Sequence, residues 1–281
     1  MQRIAVLGTG TMGSGIVQLA AQSGHNVTAC DTSIEALEKA QISVREGLSR
    51  FAEKGAFSEA EASTHYDRIH WTTNPQDLAE SEAAIEAVTE RVEPKKRALA
   101  SLDRLLPPDS IILTNTSSIS ITDLATATRR PENVCGLHFF TPPPVREAVE
   151  IPRGRLTGEE TIDRVKTLVL SLGKLPIVVD GDIPGFVANR FLMPMLLEAC
   201  RLLETGAATK RDIDLLVKRG IGFPIGPFEL GDLIGLDVAL DVIIHVHQTT
   251  QDPYYDPPRV LQDLVATGRL GRKTGGGFYD Y

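Results

Sequence analysis

The sequence predicts an alternating α/β domain followed by a smaller all-helical one. Three observations carry this. First, Arg3–Leu7 (RIAVL) and Asn26–Cys30 (NVTAC) are short, apolar and partly β-branched, and residues 12–23 between them have helical spacing that ends at Gly24. That is strand, helix and strand in the length of one βαβ unit. Second, strands and helices go on alternating to about residue 180. Third, after Asp180-Gly181-Asp182 the strand signal stops, and residues 185–246 read as helix with glycine and proline breaks between 220 and 227. A boundary near residue 182 follows, with one domain over 1–182 and a second over 183–281.

The elements of the first domain follow in order. A long helix is expected from residue 34 to about 54, and another over 58–69. Residues 83–88 (AAIEAV) read as a strand, and 94–106 as a helix opened by proline. Ile111–Thr114 is a strand followed by the polar run Asn115-Thr116-Ser117-Ser118. Residues 133–140 and 148–151 are further strands, 159–172 a helix and 176–179 the last strand.

Composition excludes several function classes. Of the 281 residues, 42% are hydrophobic, which supports a packed core over disorder. A formal net charge of −8 argues against nucleic acid or an anionic membrane as the main partner. Cys30, Cys135 and Cys200 are scattered and form no CxxC, so neither a disulfide framework nor a Cys metal site is expected. His245 and His247, two residues apart on a helix, do not share a face, so no metal is expected. No apolar stretch approaches the roughly 18 residues that span a bilayer. The opening MQRIAVLGTG enters a strand almost at once, without the regions of a signal peptide, so a cytoplasmic location is expected.

Gly8-Thr9-Gly10-Thr11-Met12-Gly13 fits G-x-G-x-x-G between a predicted strand and a predicted helix, and Asp31 ends the next strand. Gly8 permits the tight turn, Gly10 lets backbone approach a pyrophosphate, and Gly13 allows close helix–strand packing. The helix N-terminus offers N–H groups to phosphates. Asp31 suits the ribose hydroxyls of NAD and repels a 2′-phosphate, and no arginine follows in Thr32-Ser33-Ile34. The first domain is therefore expected to be a Rossmann-type dinucleotide-binding domain that takes NAD in preference to NADP. The alternative is a glycine-rich turn in another α/β protein.

His138 lies in GLHFFTPPPVREAVEI, between an apolar run and three prolines, with Glu150 on the returning segment. A lone histidine beside two phenylalanines also reads as a core residue. Its place at the C-terminal end of a predicted strand, where open α/β sheets bind ligands, favours a site. Prolines fix φ and stay out of sheet interiors, so a rigid, exposed connection is expected to bring Glu150 alongside His138. An imidazole held by a carboxylate can take an alcohol proton while a hydride leaves the same carbon.

Seven motifs in one order, GTGTMGSGI, IEAVTE, NTSSIS, GLHFFTPPP, PGFVANR, PIGPFELGDLIGLD and GRLGRKTGGGFYDY, cover nearly the whole chain. Together they resemble the L-3-hydroxyacyl-CoA dehydrogenases, including the short bacterial 3-hydroxybutyryl-CoA dehydrogenases. The resemblance implies reversible, NAD-dependent oxidation of an L-3-hydroxyacyl thioester, with a small-molecule acyl-CoA as partner and a homodimer formed through the helical domain. It implies His138 as catalytic base, Glu150 as its partner, Ser117 as the hydroxyl on the substrate oxygen and Asn189 as the amide that positions the thioester. It assigns Glu90, Lys95, Asn115, Ser117, Thr141 and Lys273 to the cofactor, beside residues 8–13 and Asp31, and Lys54 to the CoA moiety.

Plainer readings stand beside these. Ser117 and Ser118 also suit a cap of the next helix, Asn189 an ordinary helical position, and Lys54 and Lys95 solvated surface charges. Two departures from the family pattern bear on substrate. Thr141 stands where the family usually has asparagine, and Gly47 where many members have a serine ahead of the CoA-contacting lysine. The same chemistry on a carrier-bound acyl group, a free hydroxy acid or a carnitine-like compound is the alternative, with a non-catalytic NAD-binding relative as a third reading.

Overall fold

The computed structural model describes residues 2–281. The chain divides into two compact units, Met1–Asp182 and Ile183–Tyr281.

A six-stranded parallel sheet organises the first unit. Its strands are β1 (Arg3–Leu7), β2 (Asn26–Cys30), β3 (Ile69–Thr72), β4 (Ala83–Glu86), β5 (Ile111–Thr114) and β6 (Val134–Gly136), in the spatial order β3-β2-β1-β4-β5-β6. Side chains alternate between two buried faces. Ile4, Val6, Ile111 and Leu113 enter one core, while Ala5, Ala84 and Ile112 enter the other. Helices α1 (Thr11–Gln22), α2 (Ile34–Glu53) and α3 (Glu59–Tyr66) belong to this unit, with α4 (Val92–Leu105), α5 (Ile121–Ala125) and α6 (Glu159–Ser171). The strand order reverses between β1 and β4, which opens a crevice at their C-terminal ends, where such sheets bind ligands.

Beyond β6 the chain leaves this sheet after one residue and builds a second. This has three strands, β7 (His138–Phe139), β8 (Ala148–Arg153) and β9 (Leu175–Asp180), with β7 antiparallel and β9 parallel to β8. The single strand expected over 133–140 is thus two, and His138 lies in the small sheet, not at the end of an open-sheet strand. Leu137 marks the switch: its N–H still donates to the Thr114 carbonyl of β5 at 2.9 Å.

Two other expectations change. The helix expected over 58–69 is α3 alone, started by a Ser58–Glu61 capping box, and Ile69-His70-Trp71-Thr72 instead pairs with β2 as β3. Helical spacing at its N-terminal side masked a β-branched and aromatic run whose partner is distant in sequence. The cap of α5 is Ser120, whose Oγ accepts from the Asp123 N–H, so neither Ser117 nor Ser118 has that job.

The second unit holds α7 (Phe186–Glu204), α8 (Lys210–Leu215), α9 (Pro227–Ile234), α10 (Leu236–Thr250) and α11 (Arg259–Ala266) around Leu197, Phe228, Ile243, Leu261 and Phe278. Two buried carboxylates dock its C-terminal segment. Asp232 accepts from the N–H groups of Phe278 and Tyr279, and Asp214 from those of Phe228 and Glu229 and from the Tyr279 hydroxyl. This is why the GPFELGD and GGGFYDY motifs belong together. Among the described residues no helix is long and apolar enough to cross a membrane.

Candidate active site

The glycine-rich turn between β1 and α1 shows a separate reason for each glycine. Gly8 has φ +96°, and a Cβ there would stand 2.7 Å from the Ala87 carbonyl oxygen of the strand-β4 exit. A Cβ on Gly13 would overlap the Gly8 carbonyl. At Gly10 a Cβ would meet no protein atom within 4 Å, so packing inside the chain does not require this glycine. Gly10 is also the N-cap of α1 and offers no side chain to the first-turn N–H groups. An open approach to uncapped helix N–H groups fits a pyrophosphate. Asp31 follows β2 beside this turn. Its Oδ2 accepts from the N–H and hydroxyl of Thr9 at 2.8 and 3.1 Å, and its Oδ1 accepts from the Ser33 N–H at 3.1 Å.

His138 and Glu150 are paired residues of the β7–β8 ladder, so their side chains share one face of the small sheet. His138 Nδ1 lies 2.7 Å from Glu150 Oε2, and the two side chains are 9% and 6% exposed. A carboxylate only accepts, which places the hydrogen on Nδ1 and makes Nε2 the basic nitrogen. The strand carrying His138 is anchored to the main sheet by Asn115, whose Oδ1 accepts from the Phe139 N–H at 3.0 Å.

The connection from β7 to β8 is not simply exposed, as its prolines suggest. Thr141 and Pro142 are exposed, but Pro143 is buried. It packs on α1 where Gly15 has no side chain: a Cβ on Gly15 would lie 2.8 Å from Pro143 Cδ. One turn earlier, the Thr141 hydroxyl donates to Met12 Sδ at 3.1 Å. The segment linking histidine to glutamate is therefore seated on the helix that starts at the glycine turn.

A second polar cluster lies where β4 and β5 end. Glu90 Oε1 accepts from the Thr116 hydroxyl at 2.6 Å, the Ser117 N–H at 2.7 Å and the Ser117 hydroxyl at 3.1 Å. Its Oε2 pairs with Lys95 Nζ at 3.1 Å. Desolvation pushes the Glu90 carboxyl up, but the Lys95 ammonium and the hydrogen bonds from Thr116 and Ser117 outweigh it and hold the carboxyl below its ordinary value. Lys95 is no surface charge: it is fully buried, 2.9 Å from Oε1 of an equally buried Glu86. Glu86 was missed in the sequence, although a glutamate in the apolar strand AAIEAV is the signal that marks it.

The remaining residues fall elsewhere. Lys54 is the exposed C-cap of α2. Upstream on the same helix, a Cβ on Gly47 would overlap the side-chain oxygen of Gln18, a buried residue of α1. Asn189 lies in the first turn of α7, and Lys273 pairs with Asp237 at 2.6 Å; both belong to the second unit.

Comparison with known proteins agrees with this division. Residues 3–183 match the family model for the 3-hydroxyacyl-CoA dehydrogenase NAD binding domain, and residues 185–281 match that for the 3-hydroxyacyl-CoA dehydrogenase C-terminal domain. The chain is 41% identical to a 3-hydroxybutyryl-CoA dehydrogenase of Clostridioides difficile over 99% of each chain. Among solved structures it resembles FadB2 of M. tuberculosis, with TM-score 0.97 and 37% identity over 100% of this chain and 99% of the other. It also resembles (S)-3-hydroxybutyryl-CoA dehydrogenase of Ralstonia eutropha, with TM-score 0.94 and 41% identity over 100% and 99%.

Proposed function

Because the chain belongs to the 3-hydroxyacyl-CoA dehydrogenase family of NAD-dependent oxidoreductases, we propose that it interconverts a short-chain L-3-hydroxyacyl-CoA and its 3-ketoacyl-CoA, with His138 and Glu150 as the proton-transferring pair. The observation that carries the assignment of the pair is the 2.7 Å contact of His138 Nδ1 with a buried carboxylate. The names of the relatives, 3-hydroxybutyryl-CoA dehydrogenases, support the short chain.

In the oxidative direction His138 Nε2 takes the hydroxyl proton of the substrate. Glu150 keeps the ring in the tautomer with Nε2 unprotonated and stabilises the imidazolium that forms. In the reductive direction the imidazolium returns that proton to the keto oxygen. Bound NAD supplies the hydride acceptor or, reduced, the donor. Gly8 to Gly13 and Asp31 hold the cofactor, the Ser117 hydroxyl meets the substrate oxygen, and Glu90 and Asn115 fix the loops around it. We assign Thr141 and Lys273 to the cofactor, Asn189 to the thioester and Lys54 to CoA on the family resemblance.

One observation favours a second reading of the carrier. A Cβ at position 47 would overlap the Gln18 side chain, so the serine of many family members is not accommodated beside it; on this second reading CoA is held with one contact fewer, or the acyl group is carried by something other than CoA. Reduction of acetoacetyl-CoA, followed by loss of NADH absorbance, tests the first reading, and rates with the same acyl group on carrier protein or as free acid test the second. A folded protein inactive on every short-chain ketoacyl-CoA refutes the assignment to CoA. A homodimer through the second unit fits the exposure of Phe191, Leu216 and Ile221, at 71%, 63% and 69%. Sedimentation as a monomer at micromolar concentration refutes it.

A further inference from the structure

The buried pair Glu86–Lys95 has no place in the proton transfer, yet it is the most enclosed charge in the first unit. We propose that Glu86 and Lys95 are positioning residues for the reaction: they hold the Glu90 carboxylate in the orientation from which it fixes the Thr116–Ser117 turn. This rests on the assignment of Ser117 to the substrate.

The hydrogen-bond geometry runs one way through the cluster. Glu86 Oε1 accepts from the Val88 N–H at 2.7 Å and from Lys95 Nζ at 2.9 Å, and its Oε2 accepts from the Thr114 hydroxyl at 2.6 Å and from Lys95 at 3.2 Å. Glu86 is thereby fixed by β4, β5 and α4 at once. Lys95 Nζ carries three hydrogens. Glu86 takes part of that capacity, the Val88 carbonyl lies 3.4 Å away, and Glu90 Oε2 lies 3.1 Å away. Glu90 sits on the loop after β4 with 37% of its side chain exposed, and a free glutamate there has many rotamers. Lys95 ties one of its oxygens down, and the other is then aimed at Ser117.

Stability alone is a poor reason for such a pair. A buried ion pair is often no more stabilising than apolar side chains of the same size, whereas removing one partner is strongly destabilising. Lys95 is also fully buried, so it reaches a ligand through Glu90 and not by its own surface.

That energetic difference separates positioning from structure. In Glu86→Gln and Lys95→Met, each leaving a buried charge behind, Tm and kcat/KM both fall. In the double variant Glu86→Gln/Lys95→Met neither member of the fully buried pair keeps its charge, and the Glu90 carboxylate that loses Lys95 is 37% exposed, so Tm recovers most of the loss. The proposal expects kcat/KM with acetoacetyl-CoA to stay about 10- to 100-fold low, the loss of one charge-assisted hydrogen-bond network. It also expects amides 115–120 to exchange hydrogen faster than in the wild type. Wild-type exchange over 115–120 in the double variant overturns the proposal, as does full recovery of kcat/KM together with Tm. Exchange is read without substrate, so it decides the relay even if the wild type reduces no ketoacyl-CoA, a result that instead refutes the proposed function. Should the double variant not fold, Glu90→Gln, at a partly exposed side chain, must show the same faster exchange, and wild-type exchange there overturns the proposal.

Discussion

Glu150→Gln is the sharpest test of the proton-transferring pair. Glutamine keeps the size of the side chain and its place opposite His138 in the β7–β8 ladder, and removes only the charge. Two estimates bracket the effect. Exchanging a charge-assisted hydrogen bond for a neutral one costs about 1–2 kcal/mol. The attraction between an imidazolium and a carboxylate with charge centres about 4 Å apart is about 4 kcal/mol at an effective dielectric of about 20. The lower bound is the better guide if water reaches the ring, but His138 and Glu150 are 9% and 6% exposed, which favours the upper half. A fall in kcat of roughly 10²- to 10³-fold is expected. The amide also permits the wrong tautomer: its NH2 can donate to Nδ1, which puts the hydrogen on Nε2 and removes the base. The assay is acetoacetyl-CoA reduction at saturating NADH and ketoacyl-CoA, with the KM for NADH close to wild type because the pair lies outside the dinucleotide turn. A kcat within threefold of wild type, from protein with wild-type Tm, refutes the role given to Glu150.

Four further outcomes follow from the structure. Gly15→Ala places a methyl 2.8 Å from Pro143 Cδ, and a proline ring cannot yield, so the connection must shift and kcat/KM should fall about tenfold with little change in Tm. Asp31→Ala releases the Thr9 N–H and hydroxyl and removes the carboxylate proposed to meet the ribose, so the KM for NAD should rise and discrimination against NADP relax, measured by steady-state kinetics with each cofactor. Ser58→Ala breaks the capping box of α3 and should cost about 1 kcal/mol in denaturant unfolding. His25 is buried, with Nδ1 accepting from the Gln2 N–H at 3.3 Å, and burial lowers its pKa, against a smaller opposing effect of Ser171. A depressed pKa means the fold prefers the neutral ring, so its contribution is full above about pH 6.5 and lost as pH falls through the folded value; Tm should drop over that window, and His25→Gln should flatten the dependence.

Much of the architecture was legible in the sequence because its causes are local. The β1–α1–β2 unit can be read from strand-length apolar runs, a helical period and a glycine-rich turn, in which Gly8 has a positive φ and Gly13 stands against the Gly8 carbonyl. The same holds for α2, α4 and α6, whose apolar stripes repeat every turn. GLHFFTPPPVREAVEI shows in outline a histidine and a carboxylate on two segments close enough to pair.

Tertiary structure decided what depends on distant partners. Ile69–Thr72 is a strand because β2 offers it an edge; its β-branched and aromatic run is too short to settle this against the helical spacing before it, and does not name its partner. His138 belongs to a second sheet because β8 is its partner, and that register, not the spacing along the chain, sets the Nδ1–Oε2 contact. Pro143 is buried because Gly15 of another element leaves room for it. Thr141, the departure from the family pattern, finds its contact in Met12, far off in sequence. Glu86 and Lys95 read as a glutamate in an apolar strand and a lysine on a charged helix. Desolvation forces two such charges to meet only when β4 and α4 are packed together, and burial of that kind is a property of the assembled fold, not of any stretch of the chain.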